Sequence, residues 1–432
     1  MRLSDLKTNE KAIITKVRGR GAFRKRIIEM GFIKGKEISF IKDAPLKDPA
    51  VYEIMSYEIS LRRSEANLIE VITKKEAEKL QNNFEGTITD NILKVSAKKK
   101  SKIINVALVG NPNCGKTTIF NFASKSKEHV GNYSGVTVQS KKSKFKKNDY
   151  IFNITDLPGT YSLTAYSPEE LYVRKYIFDE VPDIIINIVS ASNLERNLYL
   201  TTQLIDMDVK VIIALNMFDE LKKKGDKLNY KELGKMIGIP IIPTVASKGK
   251  GIENLFDKAI EVYEDKDLDV RHIHINYGRF LEKSIKKIQK KIKIKNNYFL
   301  TDKISSRFLA IKSLEKDEEV KDILQDLKNY KSIKNITNKE INCLEKEFSE
   351  DTETLITDAK FGFISGALGE NLVEGRKKKY KKTKIIDAFV THKLFGIPIF
   401  IFFLWLMFYS TFELGSYAMN GIQNLVDFMI DF

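Results

Sequence analysis

A doubly wound α/β sheet, preceded by a small β unit and followed by a helical one, is the fold that three features of the sequence predict. Five runs rich in Ile and Val, at 103–109, 150–155, 183–189, 209–215 and 239–245, alternate with helix-like stretches. That is the order of buried parallel strands joined by helical crossovers. The string GNPNCGKT at 110–117 follows the first run directly and leads into a helix-like segment from Lys116. Short alternating runs fill residues 1–73, whereas residues 269–370 carry a helical period and charge pattern.

The string at 110–117 fits G-x-x-x-x-G-K-[ST], a phosphate-binding loop in its required strand, loop, helix context. Its glycines let successive backbone N–H groups curl round a chain of phosphates at the positive end of a helix. In this reading Lys116 reaches the β- and γ-phosphates, and the Thr117 hydroxyl ligands a magnesium ion that keeps most of its water. Gly110, Asn111, Pro112, Asn113, Cys114, Gly115 and Thr118 complete the loop. A glycine turn with an exposed lysine is the bland alternative, and the motifs downstream argue against it.

Ligands of open α/β sheets sit beyond the carboxyl ends of the strands, and three motifs fall there. In the first, DLPG at 156–159, Asp156 is expected to hold magnesium through water and the Gly159 N–H to sense a γ-phosphate, with Leu157 and Pro158 between them. In the second, NMFD at 216–219, the Asp219 carboxylate accepts from both N1–H and the exocyclic amine of guanine, a pair that adenine lacks; Asn216 and Met217 stand beside it. Val245, Ala246 and Ser247 end the last run, where the Ala246 N–H is the expected donor to the guanine O6.

Between the phosphate loop and Asp156, the string HVGNYSGVTV at 129–138 predicts a mobile loop. Thr137 is its candidate magnesium ligand, closing when a γ-phosphate is present, with Gly135, Val136, Val138 and Gln139 around it. Residues 140–147 alternate polar residues and lysine and are expected to form an edge strand antiparallel to 150–155.

Lysine is abundant and the formal charge is +16. Nucleic acid or an anionic membrane attracts such charge, but the lysines are spread along the chain and the run at 98–100 lacks interleaved aromatics, so no nucleic acid is expected. Two distant cysteines, Cys114 and Cys343, and four histidines without metal-ligand spacing argue against a disulfide framework and a zinc site. Residues 1–10 lack the apolar core of a signal peptide. Residues 394–412 are uncharged, dominated by Phe, Ile and Leu, and long enough to cross a bilayer core. The basic run at 376–384 before them places residues 1 to about 393 in the cytoplasm.

Within the first 73 residues an amphipathic helix is expected over 22–30, closed by Gly31, and residues 74–102 read as a charged, partly helical linker. The landmarks RIIEMG at 26–31, Lys34-Gly35, Ala44-Pro45, Asp48-Pro49, ISLR at 59–62 and Glu65-Ala66 resemble the ferrous iron transport protein A family, FeoA. That resemblance implies a small SH3-type β-barrel.

The strings GNPNCGKTTIFN, VGNYSGVTV, ITDLPGTYSL, NMFD and VASKGKGI together resemble the ferrous iron transport protein B family, FeoB, over roughly residues 103–412. The resemblance implies a Ras-like P-loop GTPase domain at 103–268, a helical domain at 269–370 that slows nucleotide release, a basic juxtamembrane segment at 371–393, a transmembrane helix at 394–412 and the start of a membrane domain at 413–432. GTP and GDP, magnesium, a bacterial cytoplasmic membrane and Fe2+ as the transported ion come with it. Thr160 stands where Ras-like proteins carry a water-orienting glutamine, so hydrolysis is expected to be slow. The resemblance assigns Asn113 to a potassium ion that does part of an arginine finger's work, and the expected catalytic set is Lys116, Thr137, Gly159 and Asn113.

Members of the family continue through further spans, so this chain is expected to be a fragment, a truncated product or one half of a split transporter, partnered by the bilayer, the remaining transporter domain and a second copy. Two rival readings are a basic GTPase of RNA or ribosome assembly and a regulatory GTP-binding subunit without transport.

Overall fold

The computed structural model describes residues 1–8, 10–18, 26–27, 30–32, 35–44, 48–55, 57–73, 87–89, 101–124, 129–132, 139–164, 167–267, 273–373 and 396–430. The helix expected over 22–30, most of the linker and the basic run at 376–384 therefore lie largely or wholly outside the described residues.

The strands β1 (Lys11–Val17), β2 (Glu37–Asp43), β3 (Ala50–Ile54), β4 (Tyr57–Leu61) and β5 (Ile69–Thr73) form an antiparallel, barrel-like sheet ordered β4-β3-β2-β1-β5. Alternation builds it: Ala12 and Ile14 of β1 turn inward, and a register shift between Ile14 and Lys16 lets Val17 turn inward too. Leu3, Ile38, Tyr52 and Val71 share that core.

The central sheet has seven strands. Five are parallel: β7 (Ile103–Gly110), β10 (Tyr150–Asp156), β11 (Ile184–Ser190), β12 (Val211–Asn216) and β14 (Ile241–Pro243). The strand β9 (Gln139–Lys147) runs antiparallel to β10, and β8 (His129–Asn132) pairs outside it, giving the order β14-β12-β11-β7-β10-β9-β8. Residues 140–147 thus form the expected antiparallel strand but not the edge. His129–Asn132 takes that place, and a four-residue strand containing glycine carries too little β signal to be read in advance. Every residue of β11 is buried, as a parallel strand covered on both faces must be.

The helices α1 (Lys116–Ser124) and α6 (Ile252–Tyr263) cover one face of the sheet, packing on Val106, Phe152 and Ile186. The other face is covered by α2 (Pro168–Glu180), α3 (Leu194–Asp206) and α5 (Tyr230–Ile237), while α4 (Phe218–Lys224) follows β12. Ser167 starts α2 by accepting from Glu170 N, with Pro168 in the first turn.

The core on this second face does not stop at the sheet's helices. It continues from Val109 and Leu200 into Ile285, Phe308 and Ile364 of the helical unit, built from α7 (Arg279–Ile292), α8 (Ser306–Leu314), α9 (Glu318–Gln325), α10 (Tyr330–Phe348) and α11 (Thr352–Asn371). Buried charges cross the same boundary. Arg174 of α2 is fully buried and forks onto both oxygens of Asp317 at 2.8 and 3.0 Å. Lys360 of α11 lies 3.3 Å from Asp206 of α3 and 3.1 Å from Glu315. A further strand pair joins β13 (Lys227–Leu228) to β16 (Leu372–Val373). A shared core and paired buried charges thus join the helical unit to the sheet domain.

The linker is not all linker either. Its β6 (Thr87–Thr89) pairs antiparallel with β15 (Ile273–Ile275), a three-residue strand too short to show a period. At the other end, α12 (Gly396–Tyr409) passes through a π turn at Ser410–Leu414 into α13 (Gly415–Ile430). Ser410 and Thr411 both donate to the Met407 carbonyl there, at 3.0 and 2.8 Å. The helical run therefore does not end at 412, and Ile397–Gln423, 27 residues that include an 18-residue stretch of mean hydropathy 1.8, is long and apolar enough to cross a membrane.

Candidate nucleotide site

The loop after β7 is shaped by positions that exclude side chains. A Cβ on Gly110 would stand 2.6 Å from the Ile188 carbonyl oxygen, and one on Gly115, whose φ is +90°, would stand 2.2 Å from Asn216 Nδ2. Asn113, exposed at the loop's turn, holds a left-handed φ of 63°, which asparagine tolerates better than most residues. Cys114 is buried in the core as a small apolar residue, and burial pushes its thiol up to about 11. Asn111 is buried with neither side-chain amide atom hydrogen-bonded, and Thr118 is exposed on α1.

Lys116 and Thr117 open α1, and both meet Asp156 at the carboxyl end of β10. Lys116 Nζ donates to Asp156 Oδ1, and Thr117 Oγ1 donates to Asp156 Oδ2 at 3.1 Å. Parallel pairing of β10 with β7, which sets Asp156 opposite Leu108, brings them together. A hydroxyl and a carboxylate that converge like this suit a hard cation taking few protein oxygens, and among the described residues there is no cluster of three His, Cys, Asp or Glu to hold a metal otherwise. The residues fit magnesium.

The motif after Asp156 is pinned to the loop and to the helices beside it. Leu157 is buried and donates its N–H to the Leu108 carbonyl at 3.2 Å. Pro158 follows half-buried, and a Cβ on Gly159 would come 3.1 Å from Pro112 Cα. Thr160 is buried, its N–H on the Gly110 carbonyl at 3.1 Å and its hydroxyl on the Ser162 carbonyl at 2.5 Å. Its hydroxyl is thus turned toward its own segment. Ser162 and Thr164 donate to Glu170 at 2.9 and 2.7 Å, and the Leu163 N–H donates to Gln203 Oε1. Sequence reasoning passed over Glu170 and Gln203; an acid in the first turn of the helix after the motif was the available signal for the first.

Asn216 braces the site from within. Its Nδ2 donates to the Cys114 carbonyl at 2.9 Å, and its Oδ1 accepts from Ala246 N at 2.9 Å and from Thr244 Oγ1 at 3.4 Å. It is a strut between the phosphate loop and the base end. The Ala246 N–H, the expected donor to the guanine O6, is held here by Asn216, and the exposed Ser247 follows it. Val245 donates its N–H to the Lys250 carbonyl at 3.0 Å, and Met217 turns left-handed, with φ 58°, to start α4. Asp219 in the first turn of α4 has Oδ2 3.4 Å from Lys248 Nζ. Thr137, with Gly135, Val136 and Val138, lies outside the described residues, and Gln139 opens β9.

Three family models match the chain in order: the FeoA domain over residues 1–73, ferrous iron transport protein B over 104–259, and the FeoB cytosolic helical domain over 277–373. A Porphyromonas gingivalis protein described as an Fe(2+) transport protein A/Fe(2+) transporter FeoB fusion is 44% identical over 451 residues, covering 98% of this chain and 53% of that protein. A Staphylococcus aureus Fe(2+) transporter FeoB is 35% identical over 71% of this chain and 45% of its own length. The chain thus spans about half the length of the relatives it matches. Among solved structures, a GDP-bound mutant of the S. thermophilus FeoB G-domain is 35% identical with a TM-score of 0.55, covering 62% of this chain and 100% of that one. The GDP form II of the T. maritima FeoB cytosolic domain is 31% identical with a TM-score of 0.53, covering 63% of this chain and 100% of that one. The chain belongs to the ferrous iron transport protein B family and carries a FeoA domain at its N-terminus.

Proposed function

We propose that this chain is the GTP-binding and GTP-hydrolysing cytoplasmic part of a ferrous iron transporter, held at the cytoplasmic membrane by the apolar helix at 397–423. The observation that carries the reading is the meeting of Lys116 and Thr117 on Asp156, joined through Asn216 to the segment that bears Asp219. Phosphate chemistry and base choice then sit at two ends of one braced site. GDP held by the related solved structures supports the same ligand class here.

In this reading water attacks the γ-phosphorus, the bond to the β–γ bridging oxygen breaks, and GDP and phosphate leave. Lys116 and the loop N–H groups offset the charge that develops on the phosphate oxygens. Magnesium, held by Thr117 and, through water, by Asp156, supplies Lewis-acid neutralisation when bound, with Thr137 as its third partner in the triphosphate state. Asp219 selects guanine, with the Ala246 N–H, shared with Asn216, as the donor to O6. With Thr160 buried and committed, turnover is slow, and potassium at Asn113 raises it. Iron transport belongs to the whole assembly, in which this chain supplies the nucleotide-dependent part.

The test is equilibrium binding of fluorescent GTP and ATP analogues to the full chain in detergent. Preference for GTP by tenfold or more, lost in Lys116→Ala, is expected. Equal affinities, or affinity unchanged in the variant, overturn the reading.

A further inference from the structure

The FeoA-type barrel is latched onto the seam between the G domain and the helical unit. Lys36 Nζ donates to Glu195 in the first turn of α3 and to Ser365 Oγ of α11 at 2.5 Å, while Ser365 donates to the same Glu195 oxygen at 2.7 Å. Three domains thus meet on three side chains. The pair is shielded, with Lys36 and Glu195 side chains only 23% and 20% exposed.

Lys36 is presented rigidly. Its carbonyl accepts from Ile14 N at 3.0 Å, and the Gly35 N–H donates to the Ile14 carbonyl at 2.7 Å, so the turn before β2 is stitched to β1. Gly35 has φ +85° with open space where a Cβ would go, so the backbone conformation, not crowding, calls for glycine. One helical turn further along, Tyr199 of α3 stacks on Phe361 of α11 at 4.8 Å, which fixes the two helix faces that Lys36 bridges. Met55, in the turn between β3 and β4, packs against the shared core, and β6 ties the linker to β15.

From this seam a short path leads to the candidate nucleotide site. Arg196, next to Glu195, sets its guanidinium 3.9 Å from the centre of the Tyr161 ring, two residues beyond Gly159. We propose that the α3–α11 seam is the docking site of the FeoA-type barrel, and that the docked barrel, through Lys36, Glu195 and the Arg196–Tyr161 stack, restrains the segment after Gly159 and slows GDP release. The inference rests on the nucleotide reading above for its effect, but the docking half stands on geometry alone.

The full chain in detergent is compared as wild type, Lys36→Glu, Glu195→Lys and the double exchange. Fluorescent GDP release is expected to be about fivefold faster in each single variant and to return toward the wild-type rate in the exchange, the size of a modest coupling between two sites. Hydrogen exchange in α3 and in the β1–β2 region, which needs no nucleotide, is expected to rise in the singles and fall back in the exchange. Unaltered release in the single variants, or an exchange that fails to restore it, overturns the regulatory role. Unaltered hydrogen exchange in the singles overturns the docking site. A wild-type chain that takes up no GDP sinks the nucleotide reading instead, and hydrogen exchange still decides the docking.

Discussion

Asn216 Nδ2 donates to the Cys114 carbonyl at 2.9 Å, across 102 residues of sequence, while its Oδ1 holds the Ala246 N–H. One amide therefore positions both the loop for phosphates and the segment for the base. Asn216→Ala leaves a buried carbonyl and a buried N–H unpaired, each costing about 1–3 kcal/mol. Nucleotide affinity should fall by at least tenfold while the circular-dichroism spectrum stays that of a folded α/β protein. Asn216→Asp keeps the acceptor but loses the donor, so it should bind more weakly than wild type; affinity equal to wild type in both variants would show that the strut is dispensable.

Asp219 is half-buried in the first turn of α4, with the Lys248 ammonium 3.4 Å away. On the proposed reading, this carboxylate accepts from two guanine N–H groups. In Asp219→Asn one acceptor becomes a donor, which matches the carbonyl at C2 of xanthine. The variant should lose GTP by about 10²-fold or more and gain xanthosine triphosphate, measured by competition; a base preference that does not move would place the guanine contact elsewhere.

Much of this site was legible because each motif sits at a strand end that periodicity locates, and the Ile and Val runs gave the parallel strands. What stayed hidden has physical reasons. The strands at Thr87–Thr89 and Ile273–Ile275 are three residues long and exist only because they pair with each other. The bracing role of Asn216 is invisible in the sequence because nothing local reveals a partner 102 residues away. Arg174 and Asp317 look like ordinary surface charges in sequence, and only the packing of α8 and α9 against α2 buries them.

That pair sets a pH dependence. Burial pushes the Asp317 carboxyl up, but hydrogen bonds from Arg174 and the charge of Lys312 outweigh it, so its net pKa lies below the ordinary 3.8. A carboxyl depressed in the fold contributes stability that is fully present above the unfolded value and is lost as pH falls through the folded one. Arg174→Met strands the buried Asp317 and should cost about 3–5 kcal/mol. Asp317→Asn keeps the cap that accepts from Val320 N while removing the charge. Its stability deficit against wild type, read from urea titrations, should be constant above about pH 4 and shrink below 3.8. A deficit that grows as pH falls would contradict the assignment.

Asn113 offers a way to separate a cation ligand from a loop-shaping residue. Its φ of 63° lies where glycine sits without strain and alanine does not. Asn113→Gly therefore removes the amide oxygen and keeps the loop's conformation, whereas Asn113→Ala disturbs both. GTP turnover by the full chain is compared in potassium and in sodium at matched ionic strength. If the side chain holds potassium, wild type should turn over faster in potassium, and Asn113→Gly should lose that stimulation with its sodium rate and GTP affinity near wild type. If the residue serves only the backbone, Asn113→Gly should keep the stimulation and Asn113→Ala alone should lose affinity. Equal wild-type rates in the two salts would remove potassium from the mechanism and leave the missing positive charge to be supplied by a partner.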